Sequence, residues 1–474
     1  VFLRQEFSYN QIVSLSLAAR NDFASSLSPD ASAIFYPQAS TMLRVDKLGV
    51  LPEVVNLLKV RAAYGETGSL PGVIDAQRLL FTTGQSGFGP GGIVQVFGNP
   101  SVVPERIREF ELGFEFELDN AYGGEFTYII GNAVNSLINV QRAPSTGLNG
   151  VAGGVRRNLG SIDQWGFESS LYARAIQSTD YELTFNVIFN YFDNVVRSIG
   201  NTDEGAPAFL QDGFNRQYII PGQRRSQFIG PKPVTPRFNA AGYYDYVNGP
   251  VMDTARANGV LYTPTGALIG SPIGGSAPLY TGSFSINFRF LRDFTLYALA
   301  EFGIGGNVYN GTRQFHTNPT YANNITFNRL ANQLGLARGQ AGAQAGVSNI
   351  PRYADVAPLT PNTPEYQRAA EAFMRQDWIS VGRGNVANFT ESANWARLRE
   401  LSLRFNATRA FNDVGIGVKN LAFTLTGTNL FLLTNYTGVE VEINGNPGSA
   451  VSQGQDFLTL QQARALNFMI SLGF

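Results

Sequence analysis

The sequence predicts an all-β fold, the wall of a transmembrane antiparallel β-barrel, and three observations carry that reading. Apolar side chains alternate with polar ones in segments of about nine residues or more, the length a tilted strand needs to cross a bilayer. The connections between those segments alternate between tight and long. Arg, Glu, Asn or Gly breaks every apolar run within a few positions, so nothing approaches the roughly 18 consecutive apolar residues of a membrane helix. A helical membrane protein is excluded.

Taken in order, strands are read at residues 1–9, 13–20, 36–45 and 57–64. The clearest signal follows at 109–118, where Phe110, Leu112, Phe114, Phe116 and Leu118 alternate with Glu109, Glu111, Gly113, Glu115 and Glu117. Period two gives a strand one apolar and one polar face. Segments 124–130 and 165–175 come next. In 181–191, Tyr181, Leu183, Phe185, Val187, Phe189 and Tyr191 face away from Glu182, Thr184, Asn186 and Asn190, with Ile188 the exception. Segments 279–290, 294–308, 396–407, 421–430 and 465–474 bring the total to about thirteen.

Tight connections are read at 119–123, 177–180 and 291–293, and long ones rich in Gly, Asn and Pro at 65–105, 131–163, 193–278, 309–395 and 431–464. Barrels of the outer membrane show this asymmetry, with short periplasmic turns and long extracellular loops. Residues 1–474 are therefore expected to form one barrel portion with extended loops. Tyr122, Tyr128, Tyr181, Tyr191, Phe192, Tyr243 and Tyr244 gather near strand ends, where amphipathic rings suit a membrane interface. In a large sandwich the same rings would be ordinary core.

Charged residues make up only 15% of the chain, and 35 basic side chains nearly cancel 36 acidic ones. No basic run offers a field for phosphate backbones, so nucleic acid is not an expected partner. With no cysteine and one histidine, zinc sites and disulfides are ruled out, and no cofactor is expected. His316 lies in the 309–395 loop, where a Ser-His-Asp arrangement would have to use it; no enzyme is expected. Gly87-Phe88-Gly89-Pro90-Gly91-Gly92 fits a dinucleotide fingerprint in form, but Pro90 and the lack of a βαβ context make it a loop. Val1 follows no charged or apolar leader, so an export signal is expected upstream or already removed.

Several blocks, in sequence order, resemble the SusC/RagA family of TonB-dependent outer-membrane transporters. Arg20-Asn21-Asp22-Phe23-Ala24-Ser25-Ser26-Leu27 with Phe35-Tyr36-Pro37-Gln38-Ala39-Ser40 is similar to the family's Arg-x-Asp-x-Ser-Ser loop and the aromatic-Pro strand after it. Leu58-Lys59-Val60-Arg61-Ala62-Ala63-Tyr64-Gly65-Glu66-Thr67-Gly68 resembles its LKLRASYGxTG segment. Asn158-Leu159-Gly160 with Trp165-Gly166-Phe167-Glu168, and Ala396-Arg397-Leu398-Arg399-Glu400-Leu401-Ser402-Leu403, resemble two further blocks. Gly427-Thr428-Asn429-Leu430 with Asn435-Tyr436-Thr437-Gly438 resembles the GxNL and YTG block, although Glu440-Val441-Glu442 stands where the family has Asp-Pro-Glu. The last strand, ending in Phe474, resembles the signal read by the barrel-assembly machinery.

The resemblance implies localisation in the outer membrane of a Gram-negative bacterium of the Bacteroidetes kind. It also implies the C-terminal part of a barrel of about 22 strands, the plug domain and TonB box being absent from this chain. An odd strand count agrees, since a barrel with both termini in the periplasm needs an even one. The implied activity is TonB-driven import of oligosaccharides or peptides under a SusD-like lipoprotein, with the TonB complex engaged through the missing N-terminal part and lipid around the wall. A siderophore or cobalamin receptor, and a structural component of an envelope assembly without transport, are the alternatives. Glu109, Glu111, Glu115, Glu117, Glu168, Arg174, Glu182, Asn186, Asn190, Arg397 and Arg399 would line a wet lumen. Tyr262, Tyr280, Tyr309, Tyr321 and Trp378 would bind ligand, because sugar rings stack on aromatic faces.

Overall fold

The computed structural model describes residues 1–23, 34–72, 80–86, 89–96, 98–141, 154–199, 210–211, 217–230, 233–248, 251–252, 261–262, 268–317, 325–344, 350–377, 386–412, 419–443 and 453–473. Its framework is one sheet of 13 strands in which each strand pairs antiparallel with its neighbour in the chain. The strands are β1 (Phe2–Tyr9), β2 (Val13–Asp22), β3 (Ile34–Arg44), β4 (Val55–Ser69), β5 (Glu105–Leu118), β6 (Tyr122–Gln141) and β7 (Gly154–Gln177). They continue as β8 (Glu182–Ser198), β9 (Tyr280–Phe290), β10 (Phe294–Ile304), β11 (Trp395–Asn406), β12 (Asn420–Thr434) and β13 (Ala465–Gly473). Each predicted segment overlaps one of them, although 294–308 overruns β10, whose end at Ile304 is followed by a separate short strand, Asn307–Asn310.

Connections at one end are 10–12, 45–54, 119–121, 178–181, 291–293 and 407–419, and at the other 23–33, 70–104, 142–153, 199–279, 305–394 and 435–464. The alternation is strict. Asp119 and Asn120, with φ of 50° and 52°, form the turn of the three-residue connection 119–121, in which the Ala121 N–H donates to Leu118 O at 3.0 Å. Such primed turns follow strand twist and favour Asn and Asp, which tolerate the left-handed region.

Register assigns the two faces, because directly paired residues share one. Phe110 pairs with Tyr64 on one side and Ile130 on the other, and Ile130 with Trp165. Toward the short-turn end, Phe288, Phe290, Phe294, Phe405, Phe423 and Phe468 stack in a chain with ring centroids 5.3, 5.4, 4.7, 6.5 and 6.4 Å apart. Phe110, Leu112 and Phe114 are 44%, 48% and 41% exposed on this face. Such a contiguous apolar band is unfavourable in water and favourable against hydrocarbon. Phe114→Arg should therefore cost about 2–4 kcal/mol of unfolding free energy in lipid vesicles, whereas Glu111→Arg on the opposite face should cost under about 1 kcal/mol. Equal costs would remove the lipid assignment.

Several strands run past the predicted limits on the long-connection side, among them β4 to Ser69, β5 back to Glu105, β6 to Gln141, β7 back to Gly154, β8 to Ser198 and β12 to Thr434. Segment 309–395, read as loop, is a correction. It holds helices α1 (Gly311–Thr317), α2 (Ile325–Gln333), α3 (Pro364–Asp377) and α4 (Val386–Phe389). Thr363 caps α3 by accepting from the Tyr366 N–H at 3.2 Å, and Pro364 occupies the first helical position, where its missing N–H costs nothing. The buried stripe Tyr366, Ala369, Ala370, Phe373 and Met374 packs on Phe327 and Ala331 of α2 and on Tyr244. Tyr243 and Tyr244, expected at a membrane interface, belong instead to this core above the wall, because the Tyr244 N–H and Leu334 O both bond the Tyr366 hydroxyl.

Candidate functional site

The polar face of the sheet is the candidate site. Glu109, Glu111, Glu115, Glu117, Glu168, Glu182, Arg397 and Arg399 all stand on it, as do Arg174, Asn186, Asn190 and the exceptional Ile188. Most of its charges meet partners on the adjacent strand or the one beyond it. Lys59 pairs with Glu115, and Arg61 with Glu125 at 3.4 Å. Arg289 meets Glu182 at 3.0 Å, the Tyr172 hydroxyl donates to Glu117 at 2.5 Å, and the Gln164 amide donates to Glu109 at 3.3 Å. Glu111 and Glu168, both within electrostatic reach of Glu109, have no cation partner among the described residues. A cavity of about 580 Å³ opens on this face, lined among others by Phe2, Arg4, Gln38, Ser40, Glu111 and Gln164. Its groups hydrogen-bond in both senses, which suits a polar, hydroxyl-rich or amide-rich solute.

Near the long-connection end, Arg397 and Arg399 do more than solvate the wall. Arg397 is 3% exposed; it pairs with Glu440, and its Nε lies 2.6 Å from Glu442. Arg399 meets Glu442 at 2.6 Å and Glu301 at 2.5 Å, and donates to Asn429 and Gln462 at 3.1 and 3.0 Å. Facing bulges create this geometry. The β11–β12 register slips between Leu398 and Glu400, where Asn429 adopts φ 54°. A bulge re-aims a side chain, and Asn tolerates the left-handed backbone. The resembling blocks around Arg399 and Asn429 are thus two halves of one device, and Glu440-Val441-Glu442 is its counter-charge. Burial pushes the Glu440 carboxyl up, but the Arg397 guanidinium and the backbone N–H of Glu442 outweigh it and hold the carboxyl below its ordinary value.

A second cluster ties the same connection to the neighbouring one. Asp456 accepts from Thr312, Tyr436 and Thr459 at 2.9, 2.6 and 2.8 Å. Glu391 accepts from Arg313 and Thr437 at 2.5 and 2.8 Å. Strands 307–310, 390–392 and 455–456 form a small sheet beside it. The α2–α3 platform adds a dry core whose Tyr366 hydroxyl is pushed up to about 12 by burial. The sequence reading named neither feature, although the Thr363-Pro364 cap was there to be seen.

Of the predicted ligand-binding aromatics, the two whose side chains are described, Tyr280 and Tyr309, do not converge. Tyr280 sits on the apolar face of β9, with its ring centroid 6.0 Å from Phe189 and 5.1 Å from Tyr191, so it belongs to the lipid-side aromatics. Tyr280 lies within the segment 279–290 already read as a strand, and pairing with Tyr191 fixes it on the apolar face. Tyr309 is fully buried between Phe228 and Phe389 and bonds Gln314, so its ring has no face to offer. Tyr321, Trp378 and Phe474, and the side chains of Tyr262 and His316, lie outside the described residues.

A family model described as TonB dependent receptor-like, beta-barrel, matches residues 1–310. TonB-dependent receptor P26 of Formosa agariphila is 23% identical over 459 residues, covering 93% of this chain and 42% of that protein. TonB-dependent receptor P3 of the same organism is 22% identical over 508 residues, covering 100% and 45%. This chain spans less than half the length of these relatives. Among solved structures, the RagAB peptide importer in its closed-closed state superposes with a TM-score of 0.71 at 16% identity, over 100% of this chain and 47% of that one. Its fold likeness extends through the strands beyond residue 310. With two thirds of its length matched and the whole wall shared, the chain belongs to the TonB-dependent receptor-like β-barrel family and resides in the outer membrane.

Proposed function

We propose that this chain is part of the wall and mouth of a TonB-dependent importer that takes up oligosaccharides or peptides together with a SusD-like surface lipoprotein. The observation that carries the reading is the pairing of a polar, cavity-bearing face with a mouth of pinned, folded connections. A wall needed only for anchoring has no use for either. The solved relative in the same fold is named a peptide importer, which supports a peptide or another polar oligomer as cargo. Drive comes from the TonB complex, engaged through parts of the protein beyond this wall.

Two measurements on the native strain test it. Uptake of fluorescent peptide and oligosaccharide mixtures should vanish on deleting the gene and on deleting TonB. An affinity-tagged copy should co-purify with a surface lipoprotein. Defects confined to iron-limited or cobalamin-limited growth would move the reading to a siderophore or cobalamin receptor. An altered envelope with unchanged uptake would make the chain a structural component.

A further inference from the structure

The apolar face carries a second cavity, of about 520 Å³, at the long-connection end of β4 to β8. Its floor is made by Tyr64, Phe110, Tyr128, Ile130 and Trp165. One register step higher, Arg108 pairs with Asn132 and Asn132 with Asp163, so a charged row stands directly above the aromatic one. Asp163 accepts from the Asn132 amide and from the Nε of Arg197, both at 2.6 Å. Arg108 Nε lies 3.5 Å from Glu66, which also pairs with Arg106 at 3.3 Å. The terminal nitrogens of Arg108 and Arg197 therefore project with no hydrogen-bond partner among the described residues, and the two side chains are 46% and 62% exposed.

We propose that this notch binds the phosphorylated headgroup of an outer-leaflet glycolipid. Three arginines face two carboxylates here, which leaves the patch cationic. Asp163 holds Arg197 at Nε and Glu66 attracts the Nε of Arg108, which turns both forks outward for a phosphate that accepts bidentately. The aromatic floor takes the first methylenes of the acyl chains at the level where hydrocarbon gives way to headgroups. The long-connection end is the extracellular end, so the lipid is drawn from the outer leaflet.

The test uses the intact protein purified from its native membrane, delipidated, and offered defined lipids in mixed micelles, with bound lipid read by native mass spectrometry. Phosphorylated lipid A should bind about tenfold more tightly than its enzymatically dephosphorylated form or phosphatidylglycerol. The Arg108→Ala/Arg197→Ala double variant should lose that preference, while Arg4→Ala on the opposite face should keep it. Equal binding of phosphorylated and dephosphorylated lipid A by the wild type would overturn the proposal, whether or not the double variant folds. A preference that persists in the folded double variant, or equal retention of phosphatidylglycerol, would overturn it too.

Discussion

Replacing Arg397 with alanine is expected to release the connection after β12 from the wall at a cost of about 3–5 kcal/mol. The size follows from what remains. Glu440 is fully buried and Glu442 mostly so, and both lose a guanidinium that burial had made essential. Hydrogen exchange across 435–443 should rise sharply while the β5–β7 hairpins stay protected. Replacing both Arg397 and Glu440 with methionine should recover most of the loss, because the penalty comes from an unpaired buried charge more than from the missing attraction. The pH dependence has a definite sign. Since the folded Glu440 carboxyl lies below its ordinary 4.5, its contribution is complete above that value and disappears as pH falls through the folded one. Wild-type protein should therefore loosen this connection only in acid, and Glu440→Gln should remove that acid response.

Phe373→Ala should unfold the α2–α3 platform at a cost of about 3–5 kcal/mol while the sheet stays assembled. Phe373 is 1% exposed, its ring centroid 4.8 Å from Phe327 and 5.3 Å from Tyr244. Phe327 on α2 and Tyr244 and Tyr246 upstream all pack on this ring, so its removal takes a shared contact from separate stretches of chain. Proteolysis should open within 325–377, and the heat-modifiable gel shift of the barrel should not change. A platform as resistant as wild type would mean that its stability comes from elsewhere.

The strands were legible because a wall with lipid on one side and water on the other imposes period two, as Phe110 to Leu118 display. Above the bilayer that constraint lapses. In β6 the polar pair Asn135-Ser136 is followed by the apolar pair Leu137-Ile138, which breaks strict alternation, so the extension to Gln141 carries no clean period of two. The helix α3 carries a periodic signal of its own, in Tyr366, Ala369, Ala370, Phe373 and Met374, at the 3.6-residue spacing of a helix and not the two-residue spacing of the wall. Its partner Tyr244 lies more than a hundred residues upstream, and no local pattern announces that contact. Periodicity assigns Arg397 and Arg399 to the polar face, yet their burial depends on Glu440 and Glu442 folding back over them. Tyr280 and Tyr309 were misread for a related reason: ring chemistry names what a side chain can do, whereas register and cover decide whether it is reachable.

The stacked phenylalanines along β9 to β13 have one further consequence. Just beneath them the chain turns abruptly ionic, with Arg292 on Asp180 and Arg409 on Asp293. Sliding the protein toward the cell interior would drag rings into electrolyte; sliding it outward would submerge ion pairs in oil. Immersion depth is thereby gauged at one rim, and the height at which the opposite rim stands above the membrane is set without any contact there.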